Sequence, residues 1–145
     1  MIVVLGASGQ VGSALARTLP GATFLSRRQA NLSDPGLAVS AVSALEPSAV
    51  VNAAAYTAVD QAEDDEGMAS MVNGVAVGAL AGFAADAGIP FVTYSTDYVF
   101  DGSATEPYVE SSPTGPIGAY GRSKLIGEWL CTANHPQALV IRTSW

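Results

Sequence analysis

The chain holds one lysine, Lys124, and it stands four residues after a tyrosine, Tyr120, in the stretch AYGRSK. In a helix, residues i and i+4 share a face, so both side chains would point the same way. A free tyrosine titrates near about 10, and a neighbouring ammonium favours the phenolate and lowers that value. A tyrosine tuned in this way can give a proton to a carbonyl oxygen as hydride reaches the carbon. The lysine can also hold a cofactor ribose. Taken alone, the spacing fits equally a helix-surface pair with no role. The lone cysteine and histidine, Cys131 and His135, lie past the face that would be active and read as structural.

Three other stretches could do chemistry. GASGQVG places glycines at Gly6, Gly9 and Gly12, after an apolar strand and at the start of a helix. Missing side chains permit the tight turn, and the helix N-terminus offers free N–H groups to a pyrophosphate. The second strand then ends LSRRQ, where an NAD site usually carries an acidic residue. No Asp or Glu falls between Gly12 and Asp34, and Ser26, Arg27 and Arg28 could instead grip a 2′-phosphate. That favours NADPH, with NADH as the alternative. STDYVFDG, Ser95 to Gly102, puts hydroxyls at the end of a strand, where they could polarise a substrate carbonyl or simply start a turn. The acidic run Asp60, Glu63, Asp64, Asp65 and Glu66 reads as a solvated helix start and is assigned no metal.

These residues need elements to position them, and the pattern supplies a regular alternation. Strands are expected at 2–5, 23–25, 49–52, 91–95 and 138–143. Helices are expected from Gln10 to Leu19, from the Ser33-Asp34-Pro35 start to about Leu45, across the Ala/Gly stretch 67–85, and from about Tyr120 to Ala133. Buried strands alternating with helices predict an α/β fold, a doubly wound parallel sheet of the Rossmann type. Ligands in such sheets bind at the carboxyl ends of the strands, which is where the unusual residues fall.

Composition bounds the partners. The chain has 145 residues, 49% hydrophobic and 13% charged, with a net charge of −7. That suits one folded domain and disfavours nucleic acid or an anionic membrane as a partner. Gly67 to Ala85 is uncharged and long enough to span a bilayer, but its Ala/Gly content and the helical spacing of Val72, Ala76, Leu80 and Phe83 predict a helix packed on the sheet. The chain is expected to be cytoplasmic.

Together the motifs resemble the dTDP-4-dehydrorhamnose reductases of the extended short-chain dehydrogenase/reductase superfamily. The carriers are GASGQVG (6–12), VNAAAYTAVDQAE (51–63), VN (72–73), STDYVFDG (95–102), YGRSKLIGE (120–128) and IRTSW (141–145). The resemblance implies that Tyr120 is the proton donor, Lys124 its tuner and ribose anchor, and Thr96 the hydroxyl on the substrate carbonyl. It implies that Gly9, Gln10 and Val11 wrap the pyrophosphate, that Asn31 and Leu32 sit at the adenine pocket, and that Ala54, Ala55, Tyr56 and Thr57 run beside the cofactor. Asp97 and Trp145 would touch a dTDP-linked 4-keto sugar. Asn31 stands where the family often has an acidic residue. The family's second half, which closes over the sugar nucleotide, has no counterpart here. Residues 1–145 are therefore expected to be an NAD(P)-binding domain ending after its fifth strand, better at binding a cofactor than at turnover. A homodimer is compatible with this reading. Two alternatives share the fold: a non-catalytic regulatory subunit like the β subunit of methionine adenosyltransferase, and a sugar-nucleotide epimerase or dehydratase. Intact Thr96, Tyr120 and Lys124 favour the reductase over the first. The lack of a Glu beside Asp97 weighs against a dehydratase.

Overall fold

The computed structural model describes residues 1–144. Five strands, β1 (Ile2–Leu5), β2 (Thr23–Leu25), β3 (Ala49–Asn52), β4 (Phe91–Thr96) and β5 (Leu139–Thr143), form one sheet in the order β2-β1-β3-β4-β5. Every pair is parallel. The order reverses direction between β1 and β3, so the loops leaving those two strands diverge and open a crevice at the sheet's carboxyl edge. The helices are α1 (Gln10–Thr18), α2 (Pro35–Ser43), α3 (Val59–Ala62), α4 (Glu66–Asp86) and α5 (Ala119–Asn134). A short 3₁₀ turn, Asp97–Val99, follows β4.

Local chemistry explains the boundaries. Asp34 caps α2, its carboxylate accepting from the Leu37 N–H at 3.1 Å, and Pro35 occupies the first turn where no N–H is needed. The helix ends at Ser43, just short of the expected Leu45. Strand β4 runs one residue further than expected, to Thr96, because Ser95 and Thr96 pair with Arg142 and Thr143 of β5.

The uncharged stretch forms α4, which passes a length-and-composition test for a membrane span. Here it packs against α2, α5 and the sheet, burying Ala76, Val77, Leu80, Ala81 and Ala84. Its middle turn, Met71–Val75, widens to π-helical geometry. The interface with α5 is very close there: a Cβ at Gly127 would collide with the Asn73 carbonyl oxygen. The sheet-facing core joins Val3, Leu5, Val50 and Phe91 to the buried faces of α2, α4 and α5.

Candidate cofactor and active site

The β1–α1 turn is built by backbone proximity. Gly6 has φ of 90°, and a Cβ on it would lie 2.7 Å from the Ala53 backbone. Only glycine accepts both constraints. The Gly6 and Ala7 N–H groups donate to the Leu25 carbonyl at 3.1 and 3.2 Å, which locks the turn to the end of β2. Helix α1 then starts at Gly9 with no side-chain cap. Its first N–H groups are free for an anion, and its dipole favours one.

Around this turn lies a cavity of about 470 Å³, within the ordinary range for a small-molecule site. Its floor is Gly6, Gly9, Gln10 and Val11; one wall is Arg27, Asn31 and Leu32; the other is Ala54, Ala55, Tyr56 and Thr57. All eleven were expected to touch a cofactor, and the fold brings them to one crevice. Ser8, Ala30, Ala53, Met68 and Val72 complete the lining and were not expected. Ala53 could have been found from its place between motif residues. Met68 and Val72 arrive only because α4 crosses the crevice. No acidic side chain lines the cavity among the described residues, and Arg27 is its one cation.

Gly12 departs from the expectation. It is buried and does not line the cavity, because its missing Cβ leaves room for the Gly6 carbonyl and so lets α1 sit on the turn. Its task is packing. Of the Ser26-Arg27-Arg28 trio, only Arg27 reaches the cavity, while the Ser26 hydroxyl donates to Gln29 Oε1 at 2.7 Å.

The second group of residues sits where β4, the 3₁₀ turn and α5 meet. Tyr120 is 3% exposed, and its ring meets that of Tyr98 edge-on at 5.7 Å. Burial raises its hydroxyl pKa above the usual 10, a hydrogen bond with Thr96 pulls the other way, and Asp97 and Tyr98 add to the rise. The spacing argument placed Lys124 beside this hydroxyl and expected a lowering; in the fold Lys124 donates to the Tyr94 carbonyl at 2.6 Å, and burial sets the direction of the Tyr120 shift. Burial also brings the Lys124 pKa down to about 8, against an opposing pull from Glu128. The Thr96 hydroxyl donates to Asp97 Oδ1 at 3.1 Å and accepts from the Tyr98 N–H at 3.2 Å. Trp145 lies outside the described residues.

Asn73 ties the two groups together. Its side-chain oxygen accepts from the Tyr56 N–H at 2.8 Å, and its amide donates to the Tyr56 carbonyl and to Ser123 Oγ, both at 2.9 Å. A cavity-wall loop is thus held to the helix that carries Tyr120 and Lys124. The sequence offered a signal, since an asparagine inside an Ala/Gly helix needs partners when buried. The acidic run also has work to do: Glu63 accepts from the Ala119 N–H at 2.7 Å, at the start of α5, and Glu66 forms a two-point pair with Arg122. Cys131 is buried, with its thiol pushed up to about 11, and His135 Nε2 lies 3.0 Å from the Ile89 carbonyl oxygen. Both positions are structural.

The whole chain, residues 1–145, matches the family model described as the RmlD substrate binding domain. The chain belongs to this family. A dTDP-4-dehydrorhamnose reductase of Burkholderia thailandensis is 49% identical over 147 residues, covering 99% of this chain and 49% of that protein. A reductase of the same name from Bacillus anthracis, solved in complex with NADP, superposes with a TM-score of 0.93 at 32% identity and covers 99% of this chain and 53% of that one. The Clostridium acetobutylicum reductase gives 0.93 at 34%, again covering 99% of this chain and 53% of that one. The chain therefore spans about half the length of the relatives it matches. The resemblance read from the motifs holds, and so does the parallel α/β fold.

The cavity suits a dinucleotide on its own chemistry. The uncapped α1 terminus at Gly9 offers N–H groups suited to a phosphate, and Arg27 offers a cation suited to a further anion. The Tyr56 hydroxyl, on the wall, is buried without a hydrogen-bond partner among the described residues, so a polar ligand would satisfy it.

Proposed function

We propose that this chain supplies the cofactor site and proton-donating residues of a reductase that converts dTDP-4-dehydro-L-rhamnose to dTDP-L-rhamnose with NADPH. The observation that carries this reading is the cavity at the β1/β3 switch point, lined by Arg27 and by no carboxylate among the described residues. A 2′-phosphate would meet a guanidinium there and no like charge. Gly9, Gln10 and Val11 hold the pyrophosphate, Asn31 and Leu32 bracket the adenine, and Ala54 to Thr57 line the path toward Tyr120.

NADPH, when bound, supplies the hydride. The raised pKa of Tyr120 keeps its phenol protonated at neutral pH, so it has a proton to give to the C4 carbonyl oxygen as that carbon is reduced. Thr96 presents its hydroxyl to the same oxygen, and Asp97 binds the sugar nucleotide. Lys124, largely protonated near neutral pH, stabilises the phenolate left behind and anchors the ribose. Trp145 completes the sugar contact in this reading. A cytoplasmic setting, where NADPH is available, accords with it.

The test is a fluorescence titration of the chain with NADPH and NADH, repeated on R27A. Saturable binding that prefers NADPH, with the preference lost in R27A, supports the reading. Equal loss for both cofactors removes Arg27 from 2′-phosphate recognition. No binding by a folded chain overturns the cofactor reading and turns it toward a regulatory subunit.

A further inference from the structure

One partly buried ion pair, Glu128 with Arg142, is not used by the chemistry above. Glu128 lies one turn after Lys124 on α5, and both are buried, at 9% and 6% exposure. Arg142 of β5 grips the Glu128 carboxylate at two points, its Nε donating to Oε1 at 2.9 Å and its Nη2 to Oε2 at 2.7 Å. Arg142 is itself fixed from a third side. Its Nη1 donates to the Glu110 carbonyl at 3.2 Å, and its guanidinium lies 5.0 Å above the centre of the Phe100 ring. A carboxylate held this firmly is a fixed charge in a poorly hydrated place, one helical turn from Lys124, with its field partly offset by the guanidinium that holds it.

Lys124 needs such a neighbour. Its ammonium has three N–H donors, and one, toward the Tyr94 carbonyl, has a protein partner among the described residues. The elements packed on α5 bring few other charges. Strand β4 brings Tyr94, the 3₁₀ turn brings Asp97 and Tyr98, α3 brings Asp60 with Glu63 just after it, bonded to the Ala119 N–H, and α4 brings Asp86 at its far end and Glu66, which is committed to Arg122. On α5 itself stand Tyr120, Arg122 and Cys131. Of all these groups, Glu128 is the one whose charge supports the lysine's.

We propose that Glu128 is a positioning residue for Lys124: clamped by Arg142, it supplies the fixed counter-charge that keeps the lysine an ammonium where the cofactor ribose and the Tyr120 phenolate need it. The proposal rests on the reading of Lys124 as ribose anchor and phenolate stabiliser. It also gives Arg142 a task, since the guanidinium sets how much of the carboxylate's charge the lysine feels.

The uniqueness of Lys124 makes the test direct. Lysine labelled with ¹³C at Cε gives one side-chain NMR signal in this chain, so its titration is read without turnover. E128Q should lower the Lys124 midpoint, by up to about one pH unit, the lower end for losing an opposite charge nearby. R142Q should move it the other way, because the guanidinium no longer competes for the carboxylate. A purely structural pair would leave the midpoint in place or shift both variants alike, and either result overturns the proposal. Should E128Q fail to fold, as judged by its far-UV dichroism, the double variant E128Q/R142Q, which leaves no unpaired buried charge, is compared with R142Q: a lower Lys124 midpoint in the double variant supports the proposal, and equal midpoints overturn it. Failure here leaves NADPH binding by the wild-type chain untouched, so it is distinct from failure of the cofactor reading.

Discussion

Replacing Asn73 with alanine removes three hydrogen bonds from a side chain that is 1% exposed. The losses are unequal. Tyr56 loses partners for both its N–H and its carbonyl, and since Tyr56 is only half-buried, water can repair part of each; about 1 kcal/mol apiece is a fair value. Ser123 Oγ keeps its bond to the Tyr120 carbonyl at 2.7 Å and so loses little. The vacated volume adds about another kcal/mol, since the Gly127–Asn73 contact leaves α5 no easy way to collapse inward. Better helix propensity returns about 0.5 kcal/mol. The sum is about 2–4 kcal/mol, which should bring the urea midpoint down by about 1–2 M. Equilibrium urea unfolding followed by tryptophan fluorescence would read it. N73D keeps one acceptor but sets a carboxylate against the Tyr56 carbonyl and should be at least as destabilised. A loss below about 1 kcal/mol in N73A would refute the account of Asn73 as the tie between cavity wall and tyrosine helix.

Other expected outcomes bear on the chemistry and on pH. In the reductase assay on a catalytically competent protein carrying this domain, Y120F should cut turnover of the 4-keto sugar by about 10²-fold or more while NADPH still binds; near-normal turnover would remove Tyr120 from the mechanism. Stability should rise between pH 8 and 9. There the unfolded chain still protonates a lysine with the ordinary pKa of 10.5, whereas folded Lys124, at about 8, has begun to lose its proton. The gain is up to about 1 kcal/mol over that unit. Above pH 9 the trend should flatten, because Cys131, raised from 9.0 to about 11, keeps its proton in the folded chain and works in the opposite direction. Thermal melts from pH 7.5 to 10.5 would show this, and K124M should abolish the rise; a falling melting temperature between pH 8 and 9 in the wild type would contradict the depressed lysine.

Much of the fold was legible in the order of residues along the chain. Alternating β-branched runs and helical stretches specify the parallel sheet, because a strand buried on both faces must be apolar throughout and each crossover needs a helix. GASGQVG specifies the turn at the first strand, since only glycine tolerates the conformation of Gly6 and its contact with Ala53. Of the eleven lining residues, Gly6, Gly9 and Arg27 were legible from the turn and the strand end, where local order in the chain is also order in space, and the other eight were expected from the family resemblance. Features that were not legible involve partners far apart in the chain. Gly12 serves packing, a fact set by how α1 lies on Gly6. Tyr120 has a raised pKa because the fold buries it beside Asp97 and Tyr98, surroundings that the i, i+4 spacing does not reveal. The ties of Asn73 to Tyr56 and Ser123, of Glu63 to Ala119, and of Glu128 to Arg142 join residues that periodicity cannot pair. Spacing along a helix says which side chains share a face; which of them meets water, a carbonyl or a counter-charge is set by the elements that pack against it.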